Sequence, residues 1–248
     1  MRRPYTLLAA GLAAFLLFLL AFLPASVALR FAPAALTLEG LEGSVWKGSA
    51  ASVRWRGHAL GAASWSNRFW RLPLLELNYA VRLDPPGGGA DLDVVLRNGG
   101  RLDLQSARGT LPVAMFQGFL APAGWTGEIA LDVERLALRQ GRPVAAAGTV
   151  LARGLGAAAG PQSQIGDFEL VLGEGQVGAE GSAGRLRDLD KGPLQVRATI
   201  TLDAAGAYVM SGEVAARPGS DPGLQRSLAY LGPPDSLGRR SFTIEGTL

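Results

Sequence analysis

Residues 77–97 read LNYAVRLDPPGGGADLDVVLR, and the fold follows from their spacing. Leu77, Tyr79, Val81 and Leu83 recur at every second position, the period that places side chains on one face of a strand. Asp84-Pro85-Pro86-Gly87-Gly88-Gly89 breaks the run, because proline cannot donate to a ladder and glycine admits the backbone angles a reversal needs. Alternation resumes with Leu92, Val94 and Leu96, so the segment predicts a hairpin with a loose tip.

Downstream, Asn98-Gly99-Gly100 supplies the next reversal, and Leu102 and Leu104 continue the pattern in RLDLQSARG. Ile129, Leu131 and Val133 alternate in turn. The phase then slips at Glu134-Arg135 before Leu136 and Leu138 resume it, which predicts a β-bulge. DFELVLG, LQVRATITLD, AYVMSGEV and SFTIEGTL carry the same grammar to residue 248. Two short stretches read as helical: PVAMFQGFL from Pro112 and LQRSLAYLG from Leu224. The fold class is therefore mainly β: a twisted, curved antiparallel sheet, its apolar face covered by one or two short helices or curled on itself.

The amino-terminal segment obeys a different rule. From Leu7 to Leu23 the chain reads LLAAGLAAFLLFLLAFL. As a helix this run is roughly 25 Å long, against about 30 Å for a hydrocarbon core, and the uncharged flanks extend it. Arg2 and Arg3 alone precede it, so the positive-inside rule keeps the tail in the cytoplasm and sends the rest across. Pro24 and Pro33 mark where the helix should end. The alternative is a cleavable signal peptide using Ser26-Val27-Ala28; the apolar run exceeds the roughly 7 to 15 residues of such a segment and favours a retained anchor. The expected layout is a tail at 1–6, a single transmembrane helix at 7–29 and a β-rich body at 30–248, with a weak internal boundary near 120 at the APAGW stretch.

Composition narrows the chemistry. The chain of 248 residues has no cysteine and one histidine, which removes disulfide frameworks, thiolate metal sites and cysteine nucleophiles. Lys and Arg number 24 against 21 Asp and Glu, and two of the three excess charges are Arg2 and Arg3. So even a balance does not build a phosphate-binding groove, and no nucleic-acid partner is expected. His58 lies in WRGHALG on an expected strand with no G-x-S-x-G elbow, and reads as a strand or turn residue rather than a catalytic one. Gly173-Glu174-Gly175-Gln176-Val177-Gly178 matches G-x-G-x-x-G, but the glycine-rich AEGSAG after it cannot start the helix that would hold a pyrophosphate. It reads as a turn, and neither a nucleotide nor another cofactor is expected. Asp84, Asp91, Asp93 and Asp103 could hold calcium or do acid–base work; their alternation against Leu92 and Val94 favours a solvated polar face. Trp46, Trp55 and Trp65 read first as sheet-packing residues, with an apolar groove or lipid headgroups as the alternative, and Arg68, Trp70 and Arg71 beside them could touch anionic headgroups.

One run carries a resemblance: Gly43-Ser44-Val45-Trp46-Lys47-Gly48-Ser49-Ala50, followed by Trp65 ahead of Leu72-Pro73-Leu74-Leu75 and later by Trp125-Thr126-Gly127. With an apolar segment before it, this order resembles the type II secretion system protein N family, whose signature is G-T/S-x-W-x-G-x-A. The resemblance implies structural roles for Gly43, Trp46, Gly48, Ala50, Trp65, Pro73, Trp125 and Gly127, and no catalytic or metal-binding residues. It implies a non-enzymatic inner-membrane component, its body periplasmic, that helps assemble or scaffold the machine exporting folded proteins across the outer membrane. Its partners would be other secretion components and inner-membrane lipid. A relation to AsmA-like proteins implies the alternative, a lipid-binding groove.

Overall fold

The computed structural model describes residues 11–12, 14–16, 18–28, 35–68, 76–97, 99–117, 123–139, 142–157, 164–173, 183–203 and 207–247. Thirteen strands form one sheet whose order is the order of the chain. They are β1 (Leu36–Gly43), β2 (Lys47–Trp55), β3 (His58–Asn67), β4 (Leu77–Asp84), β5 (Gly89–Arg97), β6 (Arg101–Pro112), β7 (Trp125–Arg139), β8 (Arg142–Ala157), β9 (Gln164–Leu172), β10 (Ala183–Asp188), β11 (Leu194–Leu202), β12 (Ala207–Ala216) and β13 (Arg240–Thr247). Every neighbouring pair is antiparallel, so the body is one long meander.

Residues directly opposite in an antiparallel pair share a face. Followed from strand to strand, the register therefore traces rows across the sheet. One row runs Leu41, Ala50, Ala63, Leu83, Ala90, Gly109, Leu131, Val150, Leu170, Leu186, Ala198, Gly212 and Phe242, without a polar side chain in any strand. The adjoining row runs Glu42, Ser49, Ser64, Arg82, Asp91, Arg108, Asp132, Thr149, Val171, Arg185, Thr199, Ser211 and Thr243, polar in every strand but β9. One face thus carries an unbroken apolar row from β1 to β13 and the other a polar one, as the alternation at 77–97 predicts.

The phase slip in β7 is a register shift between Val133 and Arg135, the bulge expected there. It keeps Leu136 and Leu138 on the face of Ile129 and Leu131, which is what the extra residue accomplishes. The β2–β3 hairpin turns on Arg56 and Gly57, both at positive φ, as a two-residue hairpin turn requires. In the stretch after Pro112 the described residues, which run to Gln117, form a 3₁₀ turn, Val113–Phe116. This turn packs on both β3 and β7. Those strands are four places apart in the sheet, about 19 Å if it were flat, so the sheet curls strongly between them. The second expected helix spans Pro222–Ala229, two residues earlier than the pattern at Leu224 suggests, because Asp221 caps it: its carboxylate accepts the N–H groups of Gly223 and Leu224. Leu228 on this helix packs with Phe168, Val196 and Val214, and this cluster is the core of the carboxyl half. Residues 118–122, which include Ala121 and Pro122 of the suggested boundary near 120, lie outside the described residues.

At the amino terminus, the described residues between 11 and 21 are helical, and Leu12, Phe15, Leu16, Phe18, Leu19 and Leu20 are exposed. The helix ends before Pro24, which bridges to Ser44, and a single short turn of helix follows at Ala25–Ala28. Residues 1–10 lie outside the described residues, and among those described no helix is long and apolar enough to cross a membrane.

Candidate functional site

The signature run forms the hairpin between β1 and β2, and the amino-terminal segment docks onto it. Gly43 and Gly48 face each other across the hairpin. Gly43 sits at φ +85, and a Cβ there would come within 2.5 Å of the Lys47 carbonyl oxygen; one on Gly48 would meet the Glu42 carbonyl oxygen at 2.5 Å and Trp65 Cζ2 at 2.7 Å. Both positions therefore need glycine, the first for its backbone angle and the second because the Glu42 carbonyl oxygen and the Trp65 ring both lie against it. Ala50, 1% exposed, packs with Val53 and Ala63.

The two indoles complete the junction. Trp65 Nε1 donates to the carbonyl oxygens of Ser44 at 3.2 Å and Val45 at 3.1 Å, pinning the hairpin tip from β3. Trp46 Nε1 donates at 2.7 Å to the Leu20 carbonyl oxygen, which also accepts the Leu23 N–H at 3.4 Å in the last turn of the helical segment. The Val45 N–H donates at 2.9 Å to the Leu23 carbonyl oxygen. The helical segment is thus hydrogen-bonded to the hairpin through backbone groups at Leu20 and Leu23.

Under this junction lies an apolar trough of about 570 Å³, lined by Leu23, Ala25 and Val27 from the amino-terminal segment, Leu36, Leu38 and Leu41 from β1, and Leu77, Tyr79, Val81, Val94 and Leu96 from β4 and β5. Trp65 reaches its wall. Tyr79 is its one hydroxyl; burial pushes that group's pKa above the ordinary phenol value, and the Asn67 side chain draws it part of the way back. Phe116 is not among the residues lining the trough, and Phe119, which with it could plug an apolar face, lies outside the described residues.

The opposite face holds an open polar depression of about 800 Å³ with Lys47, Ser49, Ser64, Arg68, Arg82 and Asp91 in its wall. The four aspartates around the first hairpin belong to this face, and each meets an arginine. Arg82 pairs with Asp84 at 3.0 Å and Asp91 at 3.2 Å, Arg68 with Asp93 at 3.1 Å, and Arg97 with Asp103 at 3.1 Å. Carboxylates so engaged are a charge ladder rather than a calcium site. Among the described residues no three His, Asp or Glu side chains are placed to hold a metal ion.

The other sequence-derived residues fall elsewhere. Trp125 and Gly127 open β7, where Gly127 sits at φ +132 beside a register shift, and the Trp125 carbonyl oxygen accepts a hydrogen bond from Gln117 Nε2. His58 begins β3 opposite Trp55. Pro73, Trp70, Arg71 and residues 174–178 of the G-x-G-x-x-G match lie outside the described residues; Gly173 ends β9 in a bend at positive φ. Sequence reasoning missed Leu20 and Leu23, which act through backbone carbonyl groups and carry no side-chain signal.

Comparison with known proteins points the same way. A family model for protein N of the type II secretion system matches residues 34–243. A protein of Vibrio cholerae named type II secretion system protein N is 44% identical over 62 residues, a stretch covering 24% of this chain and 25% of that protein. The match thus spans about a quarter of the relative's length. No solved structure matches. Since the family model covers most of the chain, the sheet and its signature hairpin included, the chain belongs to the type II secretion system protein N family.

Proposed function

We propose that this chain is a non-enzymatic inner-membrane subunit of the type II secretion machine that helps assemble or scaffold it. Residues 7–29 are its single-pass anchor, residues 1–6 its cytoplasmic tail and residues 30–248 its periplasmic body. The observation that carries this reading is the junction itself. An apolar helical segment with outward-facing leucines and phenylalanines is hydrogen-bonded to the sheet through Trp46 and Val45, which suits a body held at a fixed attitude to a bilayer. Family membership supports a role in secretion, and the carboxylates around the first hairpin are engaged in pairs with arginines.

The test is crosslinking in intact membranes followed by identification of the attached proteins. Recovery of other secretion components is the expected result; recovery of lipid alone sinks the scaffold reading. Protease added to spheroplasts should digest the body, and a body protected until the inner membrane is ruptured would reverse the topology.

The trough supports a second reading, an apolar site for a lipid acyl chain next to the membrane. It joins the anchor segment to β1, β4 and β5 and is apolar but for Tyr79. Lipid should then copurify with the full chain, and Val94→Asp should abolish that while leaving the fold intact by circular dichroism. Equal lipid retention by the variant would remove this reading.

A further inference from the structure

We infer that the depression between the helix Pro222–Ala229 and the loop leading into β13 is a docking site for an acidic segment of another envelope protein. The inference rests on the scaffold reading and names the chemistry of the contact. The depression holds about 650 Å³, and its wall includes Pro218, Pro222, Ala229 and Pro234 together with Arg226 and Arg240. Among the described residues that line it there is no Asp or Glu. The positive charge is uncompensated because the nearby carboxylates are engaged elsewhere. From Arg217 to Arg240 the chain carries four arginines and two aspartates. Arg217 is held by Asp188 and Asp190, and Arg239 by Glu213 and Asp235. Asp221 caps the helix. Arg226 and Arg240 donate their Nε–H groups to the carbonyl oxygens of Pro222, at 3.3 Å, and Gly232, at 2.9 Å, and among the described residues neither has a carboxylate partner. Each guanidinium is thus held in place with its terminal N–H groups left for a carboxylate, the acceptor that their fork fits best.

The occupant follows from charge and from what stands beside it. Tyr230, next to Ala229, is 93% exposed, and Leu237 in the loop is 71% exposed. The loop is ordered by its own contacts: the Asp235 carboxylate accepts the N–H groups of Leu237 and Arg239, each at 2.8 Å. Little conformational freedom is then lost on docking. Tyrosine and arginine are the side chains that most often anchor protein interfaces. Two arginines without carboxylates, a wall of prolines and exposed apolar side chains alongside suit a segment that brings both acidic and apolar residues. A phospholipid headgroup would supply charge alone, and the depression lies at the β12–β13 end of the strand order, whereas the amino-terminal segment docks at β1 and β2.

The test replaces Tyr230 of the full chain, in intact membranes, by the photo-crosslinking residue benzoylphenylalanine, and in a separate chain replaces Thr199, exposed on β11. Links from position 230, mapped by mass spectrometry of the joined peptides, should fall on a segment of one envelope protein that carries at least two Asp or Glu residues. Adding Arg226→Glu should cut their yield at least tenfold, and Arg226→Lys should keep most of it, with circular dichroism unchanged in both. Links to lipid, links to a segment without acidic residues, no link at all, or a yield that R226E leaves unchanged each overturn the inference. If position 199 links other secretion components while position 230 does not, the docking site alone falls; if neither position links any, the scaffold reading falls with it.

Discussion

The two ends of the sheet are built from the same strand grammar and finished differently. At the β1 end the apolar face is left as a trough beneath the amino-terminal segment, and the hairpin beside the edge strand is engaged by that segment through Pro24, Leu20 and Leu23. β1 itself is broken by Gly40 at positive φ and carries Glu39 and Glu42, features that discourage pairing with a foreign strand. At the β13 end the apolar face is filled by Leu228 of the capped helix, and the edge strand carries Arg240 and Glu245. The amino half thus leaves its apolar face open as a trough, and the carboxyl half fills its own with a helix. What a strand displays is decided by what covers it.

This contrast breaks most readily in the filled half. Phe168, 7% exposed, lies at the centre of its core, so Phe168→Ala should cost about 3–5 kcal/mol in urea unfolding. Leu96→Ala at the trough rim, already 38% exposed, should cost under about 1 kcal/mol. Equal losses would mean that the trough is as tightly packed as the core.

The hairpin β10–β11 is clamped by Asp188, whose side chain is 7% exposed. Burial raises the pKa of Asp188, but the Val196 N–H, 2.8 Å away, and the Arg217 guanidinium outweigh it and leave the group below its ordinary value. A carboxylate with a depressed folded pKa stabilises above the ordinary carboxylate range and loses that contribution as pH falls through the folded value. Asp188→Asn should therefore lower stability by about 1.5–3 kcal/mol at pH 7. Its deficit against the parent should shrink steadily as unfolding is measured at lower pH, and a deficit independent of pH would refute the assignment.

At the covered end, Trp46→Phe keeps the ring and removes the N–H that meets the Leu20 carbonyl oxygen, at a cost of about 0.5–1.5 kcal/mol. The readout is faster proteolytic cutting between residues 24 and 36, with the body's unfolding midpoint little moved. Smallest of all, Arg108→Gln, which breaks the exposed 2.9 Å pair with Asp132, should leave the midpoint within error, because solvent screens that pair.

Much of this was readable from the residues in order. The hairpin at 77–97, the bulge after Val133, the glycine-rich reversals and the helix near Leu224 each follow from local spacing. The stretch after Pro112 reads as a helix yet closes as a short 3₁₀ turn, since its residues are drawn onto β3 and β7 instead. The signature residues were legible as a set, but their purpose was not. At Gly48 a carbonyl from β1 and a ring from β3 both press on the backbone, and Trp46 donates to a carbonyl 26 positions earlier.

By itself the sequence determined that the body is pleated, which side of each strand is apolar, where the chain reverses, and that an uncharged apolar segment precedes it all. These are local matters, set by a two-residue period and by what glycine and proline allow. Tertiary structure alone decided that the thirteen apolar faces line up into one, that helix fills it at one end and not at the other, and that the amino-terminal segment is bonded to the signature hairpin. Register and coverage depend on contacts between residues far apart in the chain, and a one-residue slip at any of twelve pairings would turn an apolar face outward.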